Sequence, residues 1–188
     1  MALFTGKGDG GSTTLFGECG GARKTKSAPV FECLGQLDEL NATIGWCRIA
    51  CPVDLEILGT KVIDLLHEVQ DHLFTLQAEA AGADKLIPQA SVEKLGEIIQ
   101  GIEKELPETH SFLLLGQTEF SARLDIARAM SRRAERRVVI LNESGDRTMS
   151  DGSKAYANRL SSLLYALARL ANHRTGIVED SPKYLGNT

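Results

Sequence analysis

The stretch Asp54-Leu55-Glu-Ile-Leu58-Gly-Thr-Lys-Val62-Ile-Asp-Leu65-Leu66-His-Glu-Val69-Gln-Asp-His-Leu73-Phe-Thr-Leu76 decides the fold class. Leu55, Leu58, Val62, Leu65, Leu66, Val69, Leu73 and Leu76 recur at heptad-like spacing, the apolar stripe of a helix buried along one side. Asp54 is its candidate N-cap, and the helix runs to about Ala80, where Gly82 stops it. Upstream, a helix is expected from about Pro29 to Ala50, with Pro29 in its first turn and Pro52 just past its end. Downstream, the pattern predicts helices over about Ser91–Leu106, Thr118–Asn142 and Ser153–Thr175. The first ends before Pro107, the second at the turn Glu143-Ser-Gly-Asp146, and the third at Gly176 after an apolar face of Leu160, Leu163, Leu164, Leu167 and Leu170. No sustained apolar/polar alternation argues for a sheet. The fold class is therefore all-α, an antiparallel five-helix bundle with short links.

Composition bounds the rest. The chain's 188 residues suffice for one domain, and 43% hydrophobic with 24% charged residues is ordinary for a water-exposed fold. A formal charge of −4 gives no global reason to bind nucleic acid. No apolar run approaches the roughly 18 residues of a membrane span, and Met1 to Asp9 lacks a signal or transit pattern, so the expected location is the cytoplasm. Cys19, Cys33, Cys47 and Cys51 form no C-x-x-C pair and read as small buried apolar residues. Asp64-x-x-His67-Glu68 with His72 resembles half of a di-iron bundle site, but no second Glu-x-x-His motif completes it. These histidines are expected at the surface or satisfied within the bundle.

Two segments carry chemistry. Arg128-Ala-Met-Ser-Arg132-Arg133-Ala-Glu135-Arg136-Arg137 places five arginines and one glutamate in ten residues of helix. At about 100° per residue, Arg128, Arg132 and Glu135 fall within about 60° of one another, while Arg133 and Arg137 point to the opposite side. Guanidiniums held in register on a rigid helix suit a polyphosphate, whereas a solvated helix of i,i+4 charge pairs is the plain alternative. The second segment, Thr5-Gly-Lys-Gly-Asp-Gly-Gly-Ser-Thr-Thr14, is almost wholly glycine, hydroxyl and charge. It is either a frayed tail or a loop that orders around an anion, with Lys7 and Lys26 to neutralise charge. It is not a Walker A loop, since the spacing does not fit and no strand precedes it. The organisation read from the chain is a single domain over 1–188: loop segment 1–28, bundle 29–176 and C-terminal tail 177–188.

Together these segments resemble the PduO-type ATP:cob(I)alamin adenosyltransferases. The resemblance rests on Thr5 with Gly8-Asp9-Gly10-Gly11-Ser12-Thr13, Arg23-Lys24-Thr25-Lys26, Leu37-Asp38-Glu39-Leu40-Asn41, Arg128 through Arg136, and Asn158-Arg159-Leu160-Ser161, in the same order across nearly the whole chain. It implies a bundle of ferritin-like topology forming a homotrimer, with each active site between neighbouring subunits. It implies binding of ATP, Mg2+ and cobalamin, with the N-terminal loop of one chain and the arginine helix of the next holding the nucleotide. Reduced cobalt then attacks the ribose C5′, expels triphosphate and yields adenosylcobalamin. Such a nucleophile needs no protein base, so the protein's task is alignment and stabilisation of the leaving triphosphate.

By the same resemblance Asp38 pairs with Arg128, Arg132 contacts phosphates, Glu135 organises metal or ATP with Arg136 nearby, and Asn158 hydrogen-bonds the nucleotide. Thr5, Gly8, Asp9, Gly11, Thr13 and Lys26 make the phosphate loop. Phe112 sits against the corrin and keeps the lower axial ligand from cobalt, where ordinary core packing is the alternative. A flavin reductase upstream and an adenosylcobalamin-dependent enzyme downstream are implied partners. The chain departs from the family pattern at Lys7, at Leu113-Leu-Leu-Gly-Gln117 in place of x-Leu-Pro-Gly-Gly, at Asp125 in place of His, and at Ser162 in place of Asp. The corrin half is more altered than the nucleotide half, which keeps open an ATP- and corrinoid-binding carrier or regulatory protein on the same fold.

Overall fold

A computed structural model describes residue 4, residues 6–15 and residues 23–184; Thr5 and Cys19 lie outside the described residues. The elements are β1 (Ser12–Thr13), β2 (Lys24–Thr25), α1 (Pro29–Arg48), β3 (Glu56–Ile57), β4 (Thr60–Lys61), α2 (Val62–Ala81), α3 (Gln89–Glu105), α4 (Glu119–Glu143) and α5 (Asp151–Arg174). The five expected helices are present.

The stretch before α2 differs from the reading above. The helix begins at Val62, not after Asp54, because Glu56–Ile57 and Thr60–Lys61 pair as a short antiparallel hairpin. Its two-residue turn puts Leu58 at φ 50° and Gly59 at φ 73°, the left-handed pair that a tight hairpin requires. Leucine adopts that conformation at a cost, and its side chain lies across α3 at Gly101, where an added Cβ would meet Leu58 Cδ1 at 2.9 Å. Leu58 is consequently exposed, whereas Leu55, Val62, Leu65, Leu66, Val69, Leu73 and Leu76 are buried as the spacing predicts.

Around the bundle the neighbours run α2, α1, α4, α5, α3, and Lys94 to Glu68 closes the ring between α3 and α2. Leucines from α1, α2, α4 and α5 fill the axis, with Tyr156 fully enclosed. Each such side chain contributes roughly 1.5–3 kcal/mol by leaving water, so the stripes fix which helix faces meet. Polar clasps set the register. Gln70 Nε2 donates to Asn41 O and Oδ1, and the buried Glu79 on α2 accepts from Ser150 N and Ser153 Oγ at the start of α5. One pair departs from the antiparallel pattern: Gly96 faces Arg159 and Glu105 pairs with Arg174, so α3 and α5 run in the same direction. Segment 106–118 accordingly crosses the end of α5 before α4 begins, and this crossing builds the wall of the cleft described next.

Candidate functional site

Helix α4 starts at a reciprocal cap, Thr118 Oγ1 accepting from Ser121 N (3.0 Å) and Ser121 Oγ from Thr118 N (2.9 Å). With its phase fixed, the two arginine stripes separate as the angles require. On the α1 side, Arg133 meets Glu39 at 3.1 Å and Arg137 meets Glu32 at 3.4 Å. On the other side, the exposed Arg132 guanidinium has no hydrogen bond or ion pair among the described residues, and Arg136 Nη1 donates to the Arg132 carbonyl (3.1 Å). Glu135 accepts from Asn158 Nδ2 on α5 at 2.6 Å, joining two predicted site residues. Arg128 Nε is buried without a hydrogen-bond partner, 3.9 Å from Asp125 Oδ1. The exposed Arg132 guanidinium is therefore the group of this stripe open to an anion that the described residues do not supply.

Arg128 and Arg132 line an open cleft of about 830 Å³ shared with Phe112, Leu113, Leu115 and Tyr165. Phe112 is 78% exposed and projects into this cleft, which excludes core packing as its role. Segment 111–117 is fastened from two sides: Leu114 N donates to Asp180 O (2.7 Å) and Ser111 Oγ meets Ser181 Oγ (2.6 Å) on the tail, while Gly116 N donates to Asp125 Oδ2 (3.0 Å) on α4. Gly116 has φ 80°, a left-handed position that favours glycine. Burial raises the Asp125 pKa, opposed by the Gly116 hydrogen bond and the Arg128 charge. One side of the cleft is therefore apolar and the other cationic, suited to a ligand or ligand pair with a flat greasy part and an anionic part.

Of the N-terminal segment, the described residues 6–15 and 23–28 form a loop closed by its own hydrogen bonds. Turns close from Asp9 N to Gly6 O and from Gly11 N to Gly8 O, and β1 pairs with β2 in the register Ser12↔Thr25, Thr13↔Lys24. Arg23 ties the loop together by donating to Ser12 Oγ (2.9 Å) and to the carbonyls of Ser12 and Lys7. Gly8 leaves room for Lys26, since a Cβ there would lie 3.1 Å from Nζ. Gly8, Asp9, Gly11, Thr13 and Lys26 are thus brought together, with the ammonium paired to no carboxylate among the described residues. Lys24 reaches Asp146 in the α4–α5 turn (3.9 Å) and Leu15 is buried.

This loop is tied to the turn after the C-terminal end of α4, whereas the Phe112 cleft lies along the N-terminal half of that helix, up to Arg132. Asp38, exposed on α1, makes no ion pair with Arg128 within the chain; Asp125 is the carboxylate beside that guanidinium. The remaining candidates resolve plainly. His72 is satisfied inside the bundle by Tyr156 OH (3.0 Å) and Ser91 Oγ (3.1 Å). Burial pushes the Cys33 and Cys47 thiols up to about 12, so neither is a ready nucleophile. Among the described residues no three His, Cys, Asp or Glu side chains converge on a metal position, and no helix is long and apolar enough to cross a membrane. Tyr165 is a cleft residue the sequence did not nominate and offered no signal beyond helical phase, while Asp125, which holds the cleft wall without lining the cleft, stood out only as a departure from the resembled pattern.

Comparison with known proteins agrees with this layout. Residues 3–171 match the family model described as cobalamin adenosyltransferase. The chain is 37% identical over 196 residues to the corrinoid adenosyltransferase PduO of Salmonella typhimurium, covering 98% of this chain and 55% of that protein. It is 35% identical over 179 residues to a corrinoid adenosyltransferase of Bacillus subtilis, covering 94% of this chain and 90% of that protein. It thus spans about half the length of the Salmonella relative and most of the Bacillus one. A variant PduO-type ATP:corrinoid adenosyltransferase from Lactobacillus reuteri, complexed with cobalamin and ATP, superposes with a TM-score of 0.82 at 27% identity, covering 97% of this chain and 100% of that one.

Proposed function

Because this chain belongs to the cobalamin adenosyltransferase family, we propose that it transfers the 5′-deoxyadenosyl group of ATP to the reduced cobalt of cobalamin or a related corrinoid. The observation that carries the reading is the open side of α4: the exposed Arg132 guanidinium has no hydrogen bond or ion pair among the described residues and, with Arg128, borders the cleft that Phe112 lines. A cobalt–C5′ bond forms, the C5′–O bond breaks, and triphosphate leaves with the electron pair. The chain's residues act on alignment and on leaving-group charge. Arg132, Arg136 and Lys26 bind phosphates, Asn158 holds Glu135 in position beside the nucleotide, and Phe112 presents an apolar face that keeps the lower axial ligand from cobalt. Bound Mg2+ would be held by the triphosphate and Glu135 and would neutralise phosphate charge; an ion carried mainly by phosphates fits a site without a three-ligand cluster.

The working unit is a homotrimer with each site between subunits. The placement of loop and cleft along α4 supports this, because the loop is tied to Asp146 past the end of the helix, while Arg132 lies 11 residues, roughly 16 Å of helix, before Glu143. So do Ile126, Val139 and Ile140, apolar residues of α4 left 42–46% exposed beside the arginines, and the exposed Asp38, which would join Asp125 at the Arg128 of a second copy. Work in the cytoplasm, with a flavin reductase supplying electrons and an adenosylcobalamin-dependent enzyme taking the product, completes the proposal.

Anaerobic assay of the purified protein with chemically reduced cob(I)alamin, ATP and magnesium tests it, following the corrin absorbance and identifying the phosphate product. Adenosylcobalamin with triphosphate is expected. Tight ATP binding without alkylation would instead favour the carrier or regulatory reading, for which the altered segment after Phe112 is the supporting feature.

A further inference from the structure

We propose that Asp125 is a positioning residue that locks the Phe112-bearing wall of the cleft to its arginine wall, one carboxylate oxygen holding each. Oδ2 accepts the Gly116 N–H at 3.0 Å and Oδ1 faces Arg128 Nε at 3.9 Å, and the residue is only 8% exposed. The two contacts have different strengths and different jobs. The N–H of Gly116, donated to this buried carboxylate, fixes the crossing segment at the one glycine of 111–117 whose left-handed φ turns it back toward α4. The longer contact holds a carboxylate beside the buried Nε of Arg128, a guanidinium that lines the cleft.

Segment 111–117 needs such an anchor. Phe112, Leu114 and Leu115 are 78%, 47% and 52% exposed, so burial contributes little to holding them. The tail fixes Leu114 and Ser111 by single hydrogen bonds, and Gln117 Nε2 only returns to Leu114 O within the segment. Asp125 supplies the one attachment of this segment to the arginine helix itself that involves a buried charge. The consequence is coupling: displacing the carboxylate moves the apolar wall relative to Arg128 and Arg132, which separates the two substrates' positions while leaving the phosphate loop intact.

This inference rests on the proposed transferase reading, and its test separates the two. Asp125→Ala removes both contacts; Asp125→Asn keeps an oxygen for Gly116 and removes the charge. Steady-state assays at saturating ATP should show the cob(I)alamin KM raised about 10-fold or more in Asp125→Ala and largely restored in Asp125→Asn, with ATP affinity by calorimetry within about 3-fold of the parent in both. Amide exchange of the 111–118 peptide, read by mass spectrometry, should be faster in Asp125→Ala and near the parent rate in Asp125→Asn. Unchanged KM and unchanged exchange would overturn the proposal, as would equal losses for both substrates or an Asn variant as defective as Ala. If the parent itself does not turn over, the transferase reading fails, and the exchange experiment still decides whether Asp125 holds the segment. Should Asp125→Ala not fold, comparing Asp125→Asn with parent exchange decides: near-equal rates support an oxygen-held segment, and a fully released segment overturns it.

Discussion

Arg133 and Arg132 are adjacent in sequence and identical in chemistry, yet one ends on Glu39 and the other on no partner among the described residues. With Arg137 on Glu32, the first stripe fastens α4 to α1; Arg128, Arg132 and Arg136 form a second stripe that makes no ion pair to α1 among the described residues. A helix turns 100° per residue, so neighbouring positions can serve the fold and the ligand independently. Motif counting cannot make this distinction, since it treats all five arginines alike.

The largest effect that would break the contrast is on Arg132. Arg132→Ala should lower kcat/KM by about 10²- to 10³-fold, the range for removing one donor to developing charge, with an unchanged melting temperature. Arg133→Ala should leave kcat/KM within about 3-fold. Equal activity losses would mean that the two stripes are not functionally distinct. A smaller loss, about 10-fold in ATP affinity by calorimetry, is expected for Asn158→Ala, because Glu135 loses the 2.6 Å bond that orients it. Full affinity in that variant would make the Glu135–Asn158 contact a helix clasp between α4 and α5 only.

The fastening stripe has its own signature. The double change Arg133→Ala with Arg137→Ala should destabilise the fold by about 1 kcal/mol or less in urea unfolding, since both pairs are substantially exposed and water screens them. Raising the salt concentration should shrink the difference between parent and double variant. A large, salt-independent loss would place these arginines in the core energetics instead.

Legibility followed the range of the interactions involved. The caps, breaks and apolar periods of α1, α3, α4 and α5 are local, and their limits came within about two residues of the observed ones. The start of α2 failed because Leu55 and Leu58 fit the heptad spacing by coincidence, while Gly59 was the better local cue for a turn. The stripe geometry of α4 was legible from angle alone, but its partners Glu39 and Glu32 lie on another helix and needed coordinates. Asp125 shows the limit most clearly. In sequence it was one altered position, and Gly116 a kept glycine between the altered Leu115 and Gln117; only the crossing of segment 106–118 over α5 brings them to 3.0 Å.

The contrast between satisfied and open polar groups extends to His72, and here the expected effect is the smallest. Both ring nitrogens are occupied, by Tyr156 OH and Ser91 Oγ, so this histidine is a bundle part and not a ligand group. Burial lowers its pKa below the usual 6.5, against opposing pulls from Glu68 and Asp71. The unfolded chain therefore takes up this proton at a higher pH than the folded one, and the slope of stability with pH is positive in that interval. The contribution is complete above pH 6.5 and declines as pH falls toward the folded-state value. His72→Gln, which can still bridge Tyr156 and Ser91 but does not titrate, should lose this component, so the urea midpoints of parent and variant should converge between pH 7.5 and pH 5.5. A constant offset at all pH values would mean that protonation of His72 is not resisted by the fold, and that its two hydrogen bonds tolerate an imidazolium.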